Sequence, residues 1–65
     1  MVFVAVDKDG TEWIYDNIPT RHKNTGDWRC EWDVDGQIEL PKGSIAKLIG
    51  RELTWSDEPV ELTEN

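Results

Sequence analysis

Few side chains in this 65-residue sequence are equipped for catalysis: one cysteine, Cys30, one histidine, His22, and 14 carboxylates. A single cysteine closes no intramolecular disulfide, and with a single histidine it cannot complete a four-ligand zinc site. No serine, histidine and acid stand in a recognisable nucleophilic context. Alternation places Cys30 on one face with Trp28 and Trp32, which reads as a buried, inert thiol. His22 falls in a polar, basic loop and reads as a surface residue. The expected chemistry is therefore non-catalytic, with no catalytic, cofactor-binding or metal-binding residue assigned.

Two short motifs invite a ligand and fail the test of spacing. Lys42, Gly43 and Ser44 precede an apolar pattern as the end of a phosphate loop would, but that loop needs a second glycine five positions earlier and lysine after the last glycine. Helix initiation, with Ser44 as N-cap, accounts for these residues without an anion. The run from Glu31 sets acids at the first, third and fifth positions of a calcium loop with Gly36 at the sixth. The twelfth position is Lys42 where a glutamate is needed, so a hairpin turn is the better reading.

Charge limits the partners. Acidic residues outnumber basic ones by 14 to 7, a net charge of −7, and a nucleic-acid or membrane surface attracts the opposite sign. The cations that could still gather into a nucleic-acid site are Arg21 and Lys23 in a loop with Lys42, Lys47 and Arg51 around a short helix. The stronger feature is acidic: Asp27, Glu31, Asp33 and Asp35 alternate outward along one strand, with Glu39 opposite. Such a face suits a basic groove on another protein. The N-terminal run VFVAV ends at Asp7, too short for a signal peptide's apolar region. A reducing cytoplasm is the expected location.

These side chains must be carried by a small β framework. DKDG (Asp7 to Gly10) and DVDG (Asp33 to Gly36) each lie between β-branched and aromatic runs, and an aspartate at the first position with glycine at the fourth suits a type I turn closing into a bulge. Around the first turn the count pairs Phe3 with Tyr15, Val4 with Ile14 and Ala5 with Trp13, leaving both faces partly apolar. Around the second it pairs Trp32 with Ile38, Glu31 with Glu39 and Cys30 with Leu40. Residues 17–26, with Pro19, Gly26 and two asparagines, read as a loop. Ile45, Leu48 and Ile49 form the apolar stripe of a helix over 44–49, stopped by Gly50, and Leu48 reads as a core anchor.

The fold expected is mostly β (α+β), one small domain. An antiparallel sheet of four to five strands runs over about 2–7, 11–16, 28–33 and 37–41, with a last strand near 52–55 or 60–62. That element order also describes an SH3-like barrel. Four tryptophans are a heavy load for such a chain; burying each removes about 200 Å² from water, so they are read as structural first.

The segment IELPKGSIAKLIGRELTWSDEPVEL, Ile38 to Leu62, resembles a C-terminal segment of small hypothetical proteins of phages and prophages of gut bacteria. VAVDKDGTEWIY, Val4 to Tyr15, is similar to their N-terminal hairpin. The resemblance implies a phage or mobile-element accessory protein acting in the cytoplasm of a bacterial host cell, and it carries over no functional residue. The expected function is a protein–protein interaction module acting through an acidic or aromatic surface. The alternatives are a nucleic-acid-binding accessory protein and a small structural or assembly protein.

Overall fold

A computed structural model describes residues 2–30 and 36–63. The elements are β1 (Val2–Val6), β2 (Glu12–Tyr15), β3 (Thr20–His22), β4 (Asp27–Arg29), β5 (Gln37–Leu40), α1 (Ser44–Ile49) and β6 (Val60–Leu62). The architecture is mostly β, with a four-stranded antiparallel sheet in the order β5-β2-β1-β6, a separate β3–β4 pair and one short helix.

The first hairpin follows from its turn chemistry. Gly10 N–H donates to Asp7 O and Asp7 N–H to Thr11 O, each at 2.9 Å, and Gly10 takes φ 92°, a left-handed conformation that a residue with a Cβ adopts at a cost. This geometry sets Phe3 opposite Tyr15, Val4 opposite Ile14 and Ala5 opposite Trp13, the register that alternation predicts.

Both apolar faces of that hairpin are covered. On one, Val4 and Val6 pack with Ile45 of α1 and with Leu53, joined by Ile14, Leu40, Ile49, Val60 and Leu62. On the other, Ala5 and Tyr15 pack with Trp28 and Cys30, joined by Trp13 and Trp55. The central sheet is thus a middle layer, with the helix on one side and the β3–β4 hairpin on the other. Three of the tryptophans, Trp13, Trp28 and Trp55, belong to the second core; Trp32 lies outside the described residues.

The β3–β4 hairpin is docked on the β1–β2 turn. Lys8 N–H donates to Gly26 O at 2.9 Å, and Trp28 N–H donates to Asp7 Oδ1 at 3.1 Å. Gly26 sits at φ +75°, and a Cβ there would stand 3.1 Å from Lys8 Cβ, so a side chain at this position would strain the turn and press on the docking contact.

Several expectations are corrected. Residues 20–22 form β3, paired with β4 as Thr20↔Arg29, Arg21↔Trp28 and His22↔Asp27, so Arg21 and His22 belong to a strand and His22 is half-buried. The turn after His22, where Gly26 N–H donates to His22 O at 2.9 Å, supplies the reversal that a loop reading overlooks. Strand β5 pairs with β2, Ile38 facing Ile14 and Leu40 facing Glu12. Cys30 and Leu40 therefore belong to cores on opposite faces of the sheet, not to one pair; of the expected Glu31–Glu39 and Trp32–Ile38 pairings, Glu31 and Trp32 lie outside the described residues, while Glu39 and Ile38 face Trp13 and Ile14. The described strands make two sheets and do not close into a barrel. The last strand is 60–62, while 52–55 is irregular.

The helix runs over 44–49 as the apolar spacing predicts, and Gly50 N–H closes on Ala46 O. Its anchor is different. Ile45 is 1% exposed and Leu48 is 53% exposed, because a helix of under two turns turns only one narrow stripe to the sheet. Ser44 is not the N-cap either: Gly43 holds that position without a side-chain cap, and Ser44 Oγ donates to Pro41 O at 2.6 Å.

Candidate functional site

The helix start is an anion cradle already filled by the chain. Glu12 Oε2 accepts from Gly43 N–H at 2.7 Å and Glu12 Oε1 from Ile45 N–H at 2.8 Å. The two amides that an external phosphate would engage are satisfied by a carboxylate from β2, which also complements the helix dipole. The resemblance of Lys42-Gly43-Ser44 to a phosphate loop thus has a physical basis, and its ligand is intramolecular.

Beside this cap opens a cleft of about 470 Å³ between the β1–β2 turn, the start of α1 and residues 52–56. Val6, Ile45 and Leu53 give it an aliphatic floor, and Trp55 lines it. Its charged residues are Asp7, Glu12 and Glu52 with Lys8 and Lys42. Apolar lining with a few convergent polar groups is the usual makeup of a recognition site.

Asp7 is committed to the fold on both oxygens, accepting from Trp28 N–H at 3.1 Å and from Trp13 Nε1–H at 2.8 Å. Burial pushes its carboxyl above the ordinary value, and the two N–H donors work against that shift. Asp9, on the exposed tip of the same turn, is held below the ordinary value by the hydroxyl and amide of Thr11, with a further contribution from the charge of Lys42. Glu52 is exposed and is the cleft carboxylate most open to a partner.

The wall at 52–56 has no regular secondary structure, and Arg21 holds it. Its Nη2 donates to Trp55 O at 3.0 Å and to Asp57 O at 3.1 Å. Its Cζ lies 4.7 Å from the Trp28 ring centroid and 5.3 Å from that of Trp55, and the two indoles meet edge to face at 5.7 Å. The pairing of Arg21 with Trp28 across the β3–β4 hairpin sets the guanidinium over that ring. Glu58 is 3.8 Å from Nη1 but 81% exposed, so the carbonyls and rings carry the interaction. The turn at 54–57 is closed by Thr54 N–H donating to Asp57 Oδ2 at 2.8 Å and by Asp57 N–H donating to Thr54 O at 3.0 Å.

This geometry redistributes the residues singled out from sequence. Arg21 is a packed clamp. Lys23 is exposed in the β3–β4 turn, on the hairpin side of the sheet, whereas Lys47 and Arg51 are exposed at the helix on the opposite side, and Lys42 lies at the cleft. The five cations do not gather into one patch. Of the acidic set, Asp27 and Glu39 are described. Asp27 accepts from Thr25 Oγ1 at 2.6 Å and Arg29 Nε at 3.3 Å, and its carboxyl is held below the ordinary value by the Thr25 hydroxyl first and Arg29 next. Glu39 is on β5, opposite Trp13. Glu31, Asp33 and Asp35 lie outside the described residues.

Asp7, Glu12, Glu52, Leu53 and Trp55 are the residues that sequence reasoning passed over as a group. Each had a local reading as turn, strand or tail, and none carried a signal that three separated segments converge. Cys30 is buried in the hairpin-side core, as its alternation predicts. Among the described residues, no three His, Cys, Asp or Glu side chains gather as metal ligands, and no helix is long and apolar enough to cross a membrane. Compared with protein-family models, curated proteins and solved structures, the chain matches none.

Proposed function

We propose that the chain is a non-catalytic protein-interaction module whose recognition surface is the cleft between the β1–β2 turn, the helix start and residues 52–56. The observation that carries this reading is the convergence of an aliphatic floor, Val6, Ile45 and Leu53, with Trp55 and the exposed Glu52 in one cleft. Aromatic anchors in apolar recesses with a polar rim are the usual makeup of an interface centre. The carboxylates of Asp7 and Glu12 are already engaged by backbone and indole N–H groups, which suits a positioning and electrostatic role better than proton transfer. The resemblance of residues 38–62 and 4–15 to phage and prophage proteins supports an accessory role for a phage or mobile element, in the cytoplasm of a bacterial host.

The test is site-specific photo-crosslinking in bacterial cells. With a photo-reactive residue in place of Glu52, discrete protein adducts are expected that are absent when the same group replaces Ile18, an exposed position outside the cleft. Adducts to nucleic acid would support the nucleic-acid alternative, and adducts only to a second copy would support an assembly protein. Equal patterns from positions 52 and 18, or none from either, would sink the cleft as a recognition surface.

A further inference from the structure

Two strands edge the central sheet, and they differ in how they would meet a second strand. Among the described residues β5 pairs only with β2, and β6 only with β1. The outer row of backbone groups on such an edge is a template for pairing.

The bonds already made fix which residues face outward. In an antiparallel pair the N–H and C=O of one residue point to the same neighbour, and successive residues alternate. Asp16 N–H donates to Gly36 O at 2.8 Å, one position beyond the Tyr15↔Gln37 pair. Gly36, Ile38 and Leu40 therefore turn their backbone groups toward β2, and Gln37 and Glu39 turn theirs outward. The bond from Asp7 N–H to Thr11 O gives the same phase independently: Thr11, Trp13 and Tyr15 face β1, leaving Glu12, Ile14 and Asp16 for β5. By the same count, the residue of β6 that faces outward is Glu61.

The side chains separate the two edges further. Ile38 continues an apolar row across the sheet, Val60, Val4, Ile14, Ile38, yet it is 66% exposed. Lysine and proline, common guards of an edge strand, are absent from Gln37–Leu40. Strand β6 is guarded: Pro59 precedes it, and self-pairing at its outward residue would set Glu61 against Glu61.

Strand β5 is complementary to itself in one register. With a two-fold axis at Ile38, that isoleucine meets its own copy and Gln37 meets the second copy's Glu39. The outward N–H and C=O groups of Gln37 and Glu39 then bond each other, and the isoleucines form the closely spaced pair between them. Centring on Glu39 instead opposes like charges and sets Gln37 against Pro41, which has no N–H to give.

We propose that β5 is a self-association edge, through which two copies of the chain join antiparallel along Gln37–Leu40, about a two-fold axis at Ile38, into one continuous sheet. Ile38 does not line the cleft, so this inference stands apart from that reading. Four residues bury less than the roughly 800 Å² per partner of a stable interface, and each copy carries a net charge of −7. The dimer is therefore weak, with a Kd on the order of 0.1–1 mM, and added salt strengthens it by screening the repulsion.

The test follows the full chain by translational diffusion and amide chemical shifts between about 20 μM and 2 mM, a range that brackets such a Kd. Slower diffusion at high concentration is expected, with shifts concentrated at Gln37–Leu40 and Ile14 while Gly50 and the Trp55 indole stay unchanged. Ile38→Lys sets two ammonium groups face to face and should keep the chain monomeric, with the Gly50 and Trp55 signals reporting the retained fold. Gln37→Lys, which opposes each new lysine to Glu39, should tighten the dimer by about ten-fold, and Gln37→Glu should weaken it by about ten-fold.

Wild-type chain that stays monomeric throughout would overturn the proposal, as would shifts centred on β6 or the cleft, or association that survives Ile38→Lys. Weakening by Gln37→Lys would overturn the register. Photo-crosslinking from position 38 in cells that captures another protein and no second copy would overturn the self-pairing and assign the edge to a foreign strand.

Discussion

Glu12 caps the helix that begins at Ser44: its carboxylate accepts from Ile45 N–H at 2.8 Å across a sequence separation of 33 residues. The contact ties the second strand to the start of α1, and it does so at the rim of the cleft. The pair also explains how a six-residue helix persists, since isolated helices need roughly 12–15 residues.

Glu12→Ala should therefore cost about 1–2 kcal/mol, the range of a lost helix cap strengthened by charge. Ser44→Ala should cost less, because Ser44 Oγ bonds Pro41 O and caps no helix amide. Urea unfolding midpoints at unchanged m-value compare the two. A larger loss for Ser44→Ala would return the cap to the serine.

Ile45, not Leu48, is the helix residue that holds the sheet. With Ile45 1% exposed and Leu48 53% exposed, Ile45→Ala should lower stability by about 2–5 kcal/mol, and Leu48→Ala by about 0.5 kcal/mol or less. Thermal unfolding of both variants checks the order, and equal losses would place α1 in a different rotation on the sheet.

Arg21 joins two carbonyls and two rings, so Arg21→Ala should cost about 2–3 kcal/mol. Arg21→Lys should recover about half of that or less, since an ammonium cannot span both carbonyls while stacking flat on the indoles. The near-ultraviolet circular dichroism of the edge-to-face Trp28–Trp55 pair should diminish in both variants. Full recovery by lysine would reduce the clamp to a point charge.

The single tyrosine provides a pH test. Tyr15 is 1% exposed, its hydroxyl donates to Trp28 O at 3.3 Å, and burial first, with the Asp7 and Asp27 charges next, raises its pKa well above the ordinary phenol value. The folded state holds this proton more tightly than the unfolded chain. The stability it contributes is fully present below the unfolded value of about 10 and declines as pH rises toward the folded one. Phenolate absorbance should appear together with unfolding. Titration near pH 10 with the tryptophan fluorescence still native would contradict the burial.

The local elements are legible in the sequence because their causes are local. An aspartate–glycine turn and period-two alternation were enough for the β1–β2 register, three apolar positions and a glycine stop for α1, and alternation for the inward Trp28 and Cys30. The partner of each element was not. Gln37–Leu40 pairs with β2, although the chain order and a second turn motif point to its immediate predecessor. Nothing local distinguishes these pairings; the three-layer packing settles them, by requiring Leu40 on the helix side and Trp28 and Cys30 on the hairpin side.

The candidate site depends still more on tertiary structure. Sequence alone determined the sign of the charge, the supply of indoles and the scarcity of nucleophiles, since composition sets these directly. It pointed to strand carboxylates and a basic loop as surfaces. Only the folded chain turned Arg21 inward onto Trp28 and Trp55, spent Glu12 on the helix amides, and left Glu52 and Trp55 at an open cleft. The physical reason is that a charge's role depends on what is left to solvate it. A guanidinium between two rings and two carbonyls is a structural part, whereas an exposed carboxylate at the edge of a cleft is available to a partner.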